Sequence, residues 1–185
     1  RNKAASENAS AVGYGNNANA LAASAVGYNN TAGGVGSSTI GYNNTATNEN
    51  ASAFGYGNTA GGLASSAFGF SNTASGDNAN AFGYNNIASG SKSNVFGTGN
   101  TVSGSSSTAV GTANEVAAEN STAIGNNNTI SSGAENSAAL GNNISISLKD
   151  SVALGNNSTA TAINSVTGNS SYTKWAGVSD VVGVV

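Results

Sequence analysis

The sequence predicts an all-β fold, a solenoid in which about eleven coils of fourteen residues stack on one another. A glycine preceded by a large apolar residue recurs at every fourteenth position from Gly13 to Gly125. Two further copies follow at Gly141 and Gly155, the first of them after a step of sixteen. A fixed period over most of a chain is typical of repeat proteins. Residues 1–160 are therefore predicted to form one domain of stacked coils.

Each coil is predicted to contain two short strands. Ala usually lies two residues before the glycine and Ala or Ser four before it, whereas the residue immediately before it is large. Alternation with a period of two residues is the pattern of a strand. Five residues after the glycine, a column of Ala, Val and Ile runs from Ala18 to Ala160, usually after Thr, and predicts the second strand.

Two corners must join these strands. Asn lies three residues after the glycine in nine successive repeats, from Asn16 to Asn128. Because Asn tolerates left-handed backbone and can bond its own turn, this Asn is predicted to form the first corner. Glycines such as Gly34 and Gly62 predict the second corner. The one longer step is expected to lengthen that corner around residues 131–136, as a neutral insertion or as a recognition loop.

The interior of so small a coil has room for Ala, Ser and Gly, so the small columns are predicted to face inward. Alternation then sends the large residue before each glycine to the outer face, in a row on the order of 50 Å long at about 4.8 Å per coil. So long an apolar stripe would aggregate or mark an interface. Three identical subunits are the simplest closed arrangement that buries it. The predicted homotrimer interface comprises Val12, Val26, Ile40, Phe54, Phe68, Phe82, Phe96, Val110, Ile124, Leu140, Leu154 and, in the tail, Trp175.

The repeats resemble the head domains of YadA-like trimeric autotransporter adhesins of Gram-negative bacteria. Those heads repeat Ser-x-Ala-x-Gly and carry the longer motif Asn-Ser-Val-Ala-Ile-Gly-x-x-Ser. Residues 150–158 here read Asp-Ser-Val-Ala-Leu-Gly-Asn-Asn-Ser, with Asp for Asn and Leu for Ile. The resemblance covers residues 1 to about 160. It implies a left-handed parallel β-roll, three rolls packed about an axis, and presentation on a stalk.

The same resemblance implies a bacterial cell-surface adhesin, anchored in the outer membrane through a C-terminal region absent from this sequence. Similar heads bind extracellular matrix proteins or host cells, or mediate autoagglutination or biofilm contact. Residues 161–185 are interpreted as a degenerate coil leading toward a neck, and the chain as a fragment of a longer protein. The motif residues Ser151, Asn156, Asn157 and Ser158 are candidate ligand contacts.

An aromatic residue follows the glycine in six repeats, at Tyr14, Tyr28, Tyr42, Tyr56, Phe70 and Tyr84. These side chains either extend the subunit interface or form a recognition ladder, with Tyr28, Tyr42 and Tyr56 as candidate ligand contacts. Six residues before the glycine, Leu21, Val35 and Leu63 occupy a column that carries an acid in five other repeats. They are further candidate contacts, although burial in the interface explains them as well.

Composition argues against several other functions. Charged residues make up 7 % of the chain, with five Lys and Arg against eight Asp and Glu and a net charge of -3, so nucleic acid is an unexpected partner. No His or Cys is present, and the acids are dispersed, so no enzyme, metal site or cofactor is predicted. No apolar run approaches the roughly 20 residues of a membrane helix, and no direct membrane contact is expected.

An ice-binding solenoid is the alternative function, because such proteins also stack Thr in ranks. The rank here consists of Thr31, Thr45, Thr59, Thr73, Thr101, Thr129 and Thr159, broken by Ile87, Glu115 and Ser145. It is one Thr wide, where a doubled rank would be expected, and ice binding leaves the apolar stripe unexplained.

Asn-x-Ser/Thr triplets such as Asn29-Asn30-Thr31 are an expected by-product of this composition.

Overall fold

A computed structural model describes residues 1–161, and this part of the chain is a parallel β-solenoid of about eleven coils that contains no helix. Each coil contributes one long and one short strand. In chain order the strands are β1 (Lys3–Ala4), β2 (Ser10–Tyr14), β3 (Asn17–Ala18), β4 (Ser24–Tyr28), β5 (Thr31–Ala32), β6 (Ser38–Tyr42), β7 (Thr45–Ala46), β8 (Ser52–Tyr56), β9 (Thr59–Ala60), β10 (Ser66–Phe70), β11 (Thr73–Ala74), β12 (Asn80–Tyr84), β13 (Ile87–Ala88), β14 (Asn94–Thr98), β15 (Thr101–Val102), β16 (Thr108–Thr112), β17 (Glu115–Val116), β18 (Thr122–Asn126), β19 (Thr129–Ile130), β20 (Ala138–Asn142), β21 (Ser145–Ile146), β22 (Val152–Leu154) and β23 (Thr159–Ala160).

The strands form two parallel sheets that run the length of the solenoid. The even-numbered strands form an 11-stranded sheet, called here the long-strand sheet, and the odd-numbered ones form a 12-stranded sheet, the short-strand sheet. Pairing is in register, so that Phe68 lies between Phe54 and Phe82. Equivalent residues of successive coils therefore stack in columns. The predicted all-β parallel solenoid of about eleven coils is confirmed.

The interior is built from the small columns, as the sequence predicts. The Ala residues two before the glycine, such as Ala53 and Ala67, are 0 % exposed. The second strand's column is equally buried and changes from Ala to Val102, Val116, Ile130 and Ile146 in the later coils. The interior therefore accepts branched aliphatic side chains toward the C-terminal end. Because a single coil is too small to bury both columns by itself, each coil depends on its neighbours.

The recurring glycine is required by a contact between coils. Gly69 has a φ of 117°, which side chains of L-residues rarely adopt. A Cβ atom on Gly69 would also overlap the carbonyl oxygen of Gly83 in the next coil. The same two conditions hold from Gly13 to Gly141. Gly therefore recurs once per coil because the backbones of neighbouring coils come too close there for any side chain.

The first corner differs from the prediction. The left-handed residue lies two after the glycine, as at Asn29 with a φ of 54°, and not three after it. The following Asn30 is instead 0 % exposed and points into the solenoid. Its Nδ2 donates to Asn16 Oδ1 at 3.0 Å, to the Val26 carbonyl at 3.0 Å and to the Gly41 carbonyl at 2.7 Å. The Asn30 side chain is small enough for the interior, and its amide hydrogen-bonds to the coils on either side.

The second corner carries the extra residues of the long step, as predicted. Ser107 Oγ donates to the Ala118 carbonyl, and in the next coil Ser121 Oγ donates to the Ala134 carbonyl. Ala118 and Ala134 therefore occupy equivalent positions in their coils. The inserted residues are therefore Ser132 and Gly133, and a Cβ on Gly133 would meet nothing within 4 Å. The insertion bulges outward without disturbing the register of β18 with β20.

Residues 162–185 lie outside the described part of the chain, and they include Trp175 and all but the first residue of the predicted tail. The domain boundary near residue 160 and the packing of Trp175 stay predictions. Within residues 1–161, no helix is long and apolar enough to span a membrane.

Candidate binding surface on the long-strand sheet

The large residues before each glycine lie on the outer face of the long-strand sheet. This row from Val12 to Leu154 is called here the apolar column. Its members are exposed or half-buried in the isolated chain, with Val12 59 % and Phe96 42 % exposed. They alternate with the buried small residues along each strand, and the narrow interior has no space for them. The structure places them as predicted, while their role as a subunit interface stays a prediction.

The middle of the apolar column is a stack of four phenylalanine rings. Ring centroids are 4.7 Å apart for Phe54 and Phe68, 4.9 Å for Phe68 and Phe82, and 5.3 Å for Phe82 and Phe96. In-register parallel pairing sets these distances because each ring follows the ring of the coil below. Stacking at such distances adds about 0.5–1.5 kcal/mol per pair beyond area burial.

A second stack lies beside the first on the same face. This aromatic column consists of Tyr14, Tyr28, Tyr42, Tyr56, Phe70 and Tyr84. Successive centroids are 4.7–5.3 Å apart and the ring planes differ by 3–16°. Each inner ring therefore has both faces covered by its neighbours and offers mainly its edge. A ligand that must lie flat on a ring face, as a sugar does, finds few such faces here.

Beyond Tyr84 the aromatic column is continued by polar residues. Thr98 and Thr112 come first, and an amide ladder follows, in which Asn126 Nδ2 donates to Asn142 Oδ1 and Asn142 Nδ2 to Asn156 Oδ1, both at 2.8 Å. The outer face is thus apolar over two columns in the N-terminal half and over one column in the C-terminal half.

The motif residues proposed as ligand contacts are not all on the surface. Asn156 and Asn157 are exposed, and Ser151 is half-buried with its hydroxyl donating to the Lys149 carbonyl. Ser158 is 1 % exposed and donates to the Leu154 carbonyl at 2.6 Å. It occupies the interior position of the Asn ladder, and this burial removes Ser158 from the candidate contacts.

The three apolar residues proposed as further contacts lie at the second corner. Leu21, Val35 and Leu63 are 46 %, 47 % and 43 % exposed. Leu21 and Val35 lie in neighbouring coils, whereas Glu49 separates Val35 from Leu63. The patch is therefore small and interrupted by a charge.

The Thr rank lies on the outer face of the short-strand sheet. Its members are half-buried or exposed, and Ile87 and Glu115 interrupt it, as the sequence indicates. Since each short strand has two residues and one of them faces inward, the rank is one residue wide.

The described residues offer no arrangement for metal binding. Among residues 1–161, no group of three or more His, Cys, Asp or Glu side chains could hold a metal ion. The acids Glu7, Glu49, Asp77, Glu119 and Glu135 are exposed or half-buried along the second corner. They are spread over the length of the solenoid and do not converge on a cleft.

Comparison with protein families gives one match that spans most of the chain. The model of the YadA head domain repeat (2 copies) matches residues 4–30, 32–58, 60–86, 103–128 and 149–166. No curated protein matches the chain. The matched segments follow the coils, and several begin at equivalent positions of the repeat. The family match agrees with the period, the inward small columns and the outward apolar column. The chain belongs to the family of YadA head domain repeats.

Proposed function

We propose that this chain is the trimeric head of an adhesin on the bacterial surface and that it binds extracellular matrix proteins or cell-surface receptors of a host. An adhesin-type function follows from the family. The observation that carries the finer proposal is the outer face of the long-strand sheet, where an apolar column and an aromatic column run side by side.

Self-association through this face is favoured by its chemistry. The apolar column is continuous over eleven coils and carries no charge. An isolated chain would leave Phe96, Ile124 and Leu140 more than 40 % exposed to water. Burial of apolar surface contributes about 25 cal/mol per Å². Identical subunits around a three-fold axis bury such a column without leaving an open end for further growth.

Ligand binding would then use the faces that assembly leaves in water. Those surfaces are made of amides and hydroxyls, with 7 % charged residues in the whole chain. Each contact with a partner is weak, and repetition over the coils of three subunits supplies avidity. Contact with a second bacterial cell by the same means would give autoagglutination or biofilm contact. Heads and solenoids of this kind are typically non-catalytic, and the proposal includes no reaction.

The oligomeric state tests the assembly step. Sedimentation of the purified chain is expected to give a trimer. Replacing Phe68, Phe82 and Phe96 together with Ser should yield monomers, because the substitutions remove the stacked apolar rings. Ile87→Ser is the matched control, since Ile87 is 42 % exposed but lies on the short-strand sheet. A stable monomer of the unaltered chain contradicts the proposed interface.

Binding to immobilised collagen, fibronectin and laminin tests the adhesive step. The trimer is expected to bind at least one of them and the triple Ser variant to bind much more weakly, because avidity is lost. Equal binding by trimer and monomer contradicts the multivalent mechanism. Absence of binding to the three proteins and to host cells contradicts the proposed class of ligand.

A further inference from the structure

The corners of the solenoid carry Asn-x-Ser/Thr triplets, the acceptor sequence for N-linked sugars. Within residues 1–161 such triplets begin at Asn8, Asn29, Asn43, Asn50, Asn120, Asn127, Asn143, Asn156 and Asn157. With the exception of Asn156, each begins on a left-handed residue with a φ between 52° and 58°. All but one of the triplets therefore begin on the left-handed residue of a corner.

In every one of these triplets except Asn156-Asn157-Ser158, whose Ser158 is buried, the first and third residues are exposed or half-buried. In the triplet Asn50-Ala51-Ser52, Asn50 is exposed, Ala51 is 0 % exposed and Ser52 begins β8 with its side chain half-buried. Only the middle residue, whose identity the triplet leaves free, turns inward. The triplet starting at Asn29 repeats this arrangement, with buried Asn30 in the middle.

Asn50 is exposed, and no large side chain lies beside it in its stacked column. The equivalent residues in the neighbouring coils are Gly36 and Ala64, both small. Its side-chain amide makes no hydrogen bond with the residues that the structure describes. At Asn127, by contrast, Nδ2 already donates to Asn143 Oδ1 at 2.8 Å. A sugar ring on Asn50 would project into solvent between two small neighbours.

We infer that these corner triplets, and Asn50-Ala51-Ser52 before the others, are acceptor sites for an N-linked hexose. In the reaction, the Asn Nδ2 forms a bond to the anomeric carbon of a nucleotide-activated hexose. The bond between that carbon and the phosphate oxygen breaks, a nucleoside diphosphate leaves, and the amide proton passes to a base of the transferase. The sugars would supply bulky polar groups to a head whose surface carries few charges.

The chain contains its own matched controls. Asn78 and Asn85 occupy the same two corners, are exposed and have φ values of 57° and 54°. Their third residues are Asn80 and Ile87, so neither begins an acceptor triplet. If the triplets were only a by-product of composition, Asn50 and Asn85 would be modified equally or not at all.

Peptide mass spectrometry of the protein purified from the bacterium that produces it tests this inference. We expect the mass of one hexose on peptides that contain Asn50 and at other corner triplets, and unmodified Asn78 and Asn85. Ser52→Ala should remove the sugar from Asn50 alone while thermal unfolding stays unchanged, because the Ser52 side chain is half-buried and makes no hydrogen bond within the described residues. Unmodified Asn at all the corner triplets, or equal modification of Asn78 and Asn85, would overturn the inference.

Discussion

Neighbouring asparagines in this chain have opposite roles. Asn29 is an exposed left-handed corner residue, while Asn30 is buried and bonds three oxygens of its own and adjacent coils. Both roles follow from the short amide side chain, which tolerates left-handed backbone and fits a narrow interior. The prediction for the first corner was wrong. Both residues closely follow the glycine, and the repeat period does not show which of them forms the corner and which faces the interior.

The buried Asn ladder is expected to be a large contributor to stability. Asn58 Nδ2 donates to Asn44 Oδ1 and to the carbonyls of Phe54 and Gly69, and its Oδ1 accepts from the backbone and side chain of Asn72. Asn58→Ala leaves several of these buried groups without partners, at about 1–3 kcal/mol each. We expect a marked fall in the thermal midpoint followed by circular dichroism.

Asn19→Ala is the control for the ladder, because Asn19 is exposed and its side chain makes no hydrogen bond within the described residues. The thermal midpoint of Asn19→Ala should stay close to that of the unaltered chain. Equal effects of the two substitutions would show that burial of the ladder amide contributes nothing.

Two glycines with positive φ should respond differently to a side chain. Gly69→Ala places a Cβ against the Gly83 backbone, which cannot move away without displacing a whole coil. A loss of about 4 kcal/mol or more is expected. Gly99→Asn should stay within about 1 kcal/mol of the unaltered chain, because Gly99 has open space around it and Asn85 fills the equivalent position. Denaturation of both variants checks this, and a tolerated Gly69→Ala would contradict the close approach.

At the scale of the strand, one five-residue element serves the interior and the outer face together. In β10, Ala67 is buried while Phe68 and Phe70 stack on the rings of neighbouring coils. Parallel pairing in register makes this possible, because it lays each residue over its equivalent in the next coil. A shift of one residue would turn the phenylalanines inward, where no space exists.

The aromatic column is expected to act in assembly more than in ligand recognition. Replacing Tyr28, Tyr42 and Tyr56 with Thr keeps a residue that the column already carries at Thr98 and Thr112. Because the inner rings offer edges and little face, we expect the trimer to weaken in sedimentation while the coils stay folded. An intact trimer that has lost adhesion would instead assign the column to recognition.

At the scale of the whole molecule, the solenoid is a one-dimensional array in which each coil contacts its two neighbours. Stability in such arrays is approximately a sum over repeats and the interfaces between them. The two-residue bulge at Ser132 and Gly133 illustrates the independence of the coils, since β18 and β20 pair across it in the ordinary register.

Deletion of one full coil should therefore be tolerated. Removing residues 71–84 joins Phe70 to Asn85, which occupies the position of the lost Ser71. We expect a folded protein with the same circular dichroism signal per residue and a slightly lower midpoint. Removing residues 78–84 deletes half a coil, brings Asp77 next to Asn85 and misplaces every later column. This variant should unfold or aggregate, and a folded product would contradict the columnar interior.

The sequence alone determined the coil length, the two strands, the inward small columns and the outward apolar column, because each is a periodic pattern within one repeat. It also located the lengthened corner, since the columns on either side of it kept their phase. Only the tertiary structure decided that Asn30 faces inward, that Ser158 is buried and that Gly69 meets the backbone of Gly83. These features depend on contacts between coils, where residues that are one full repeat apart in the chain become nearest neighbours in space.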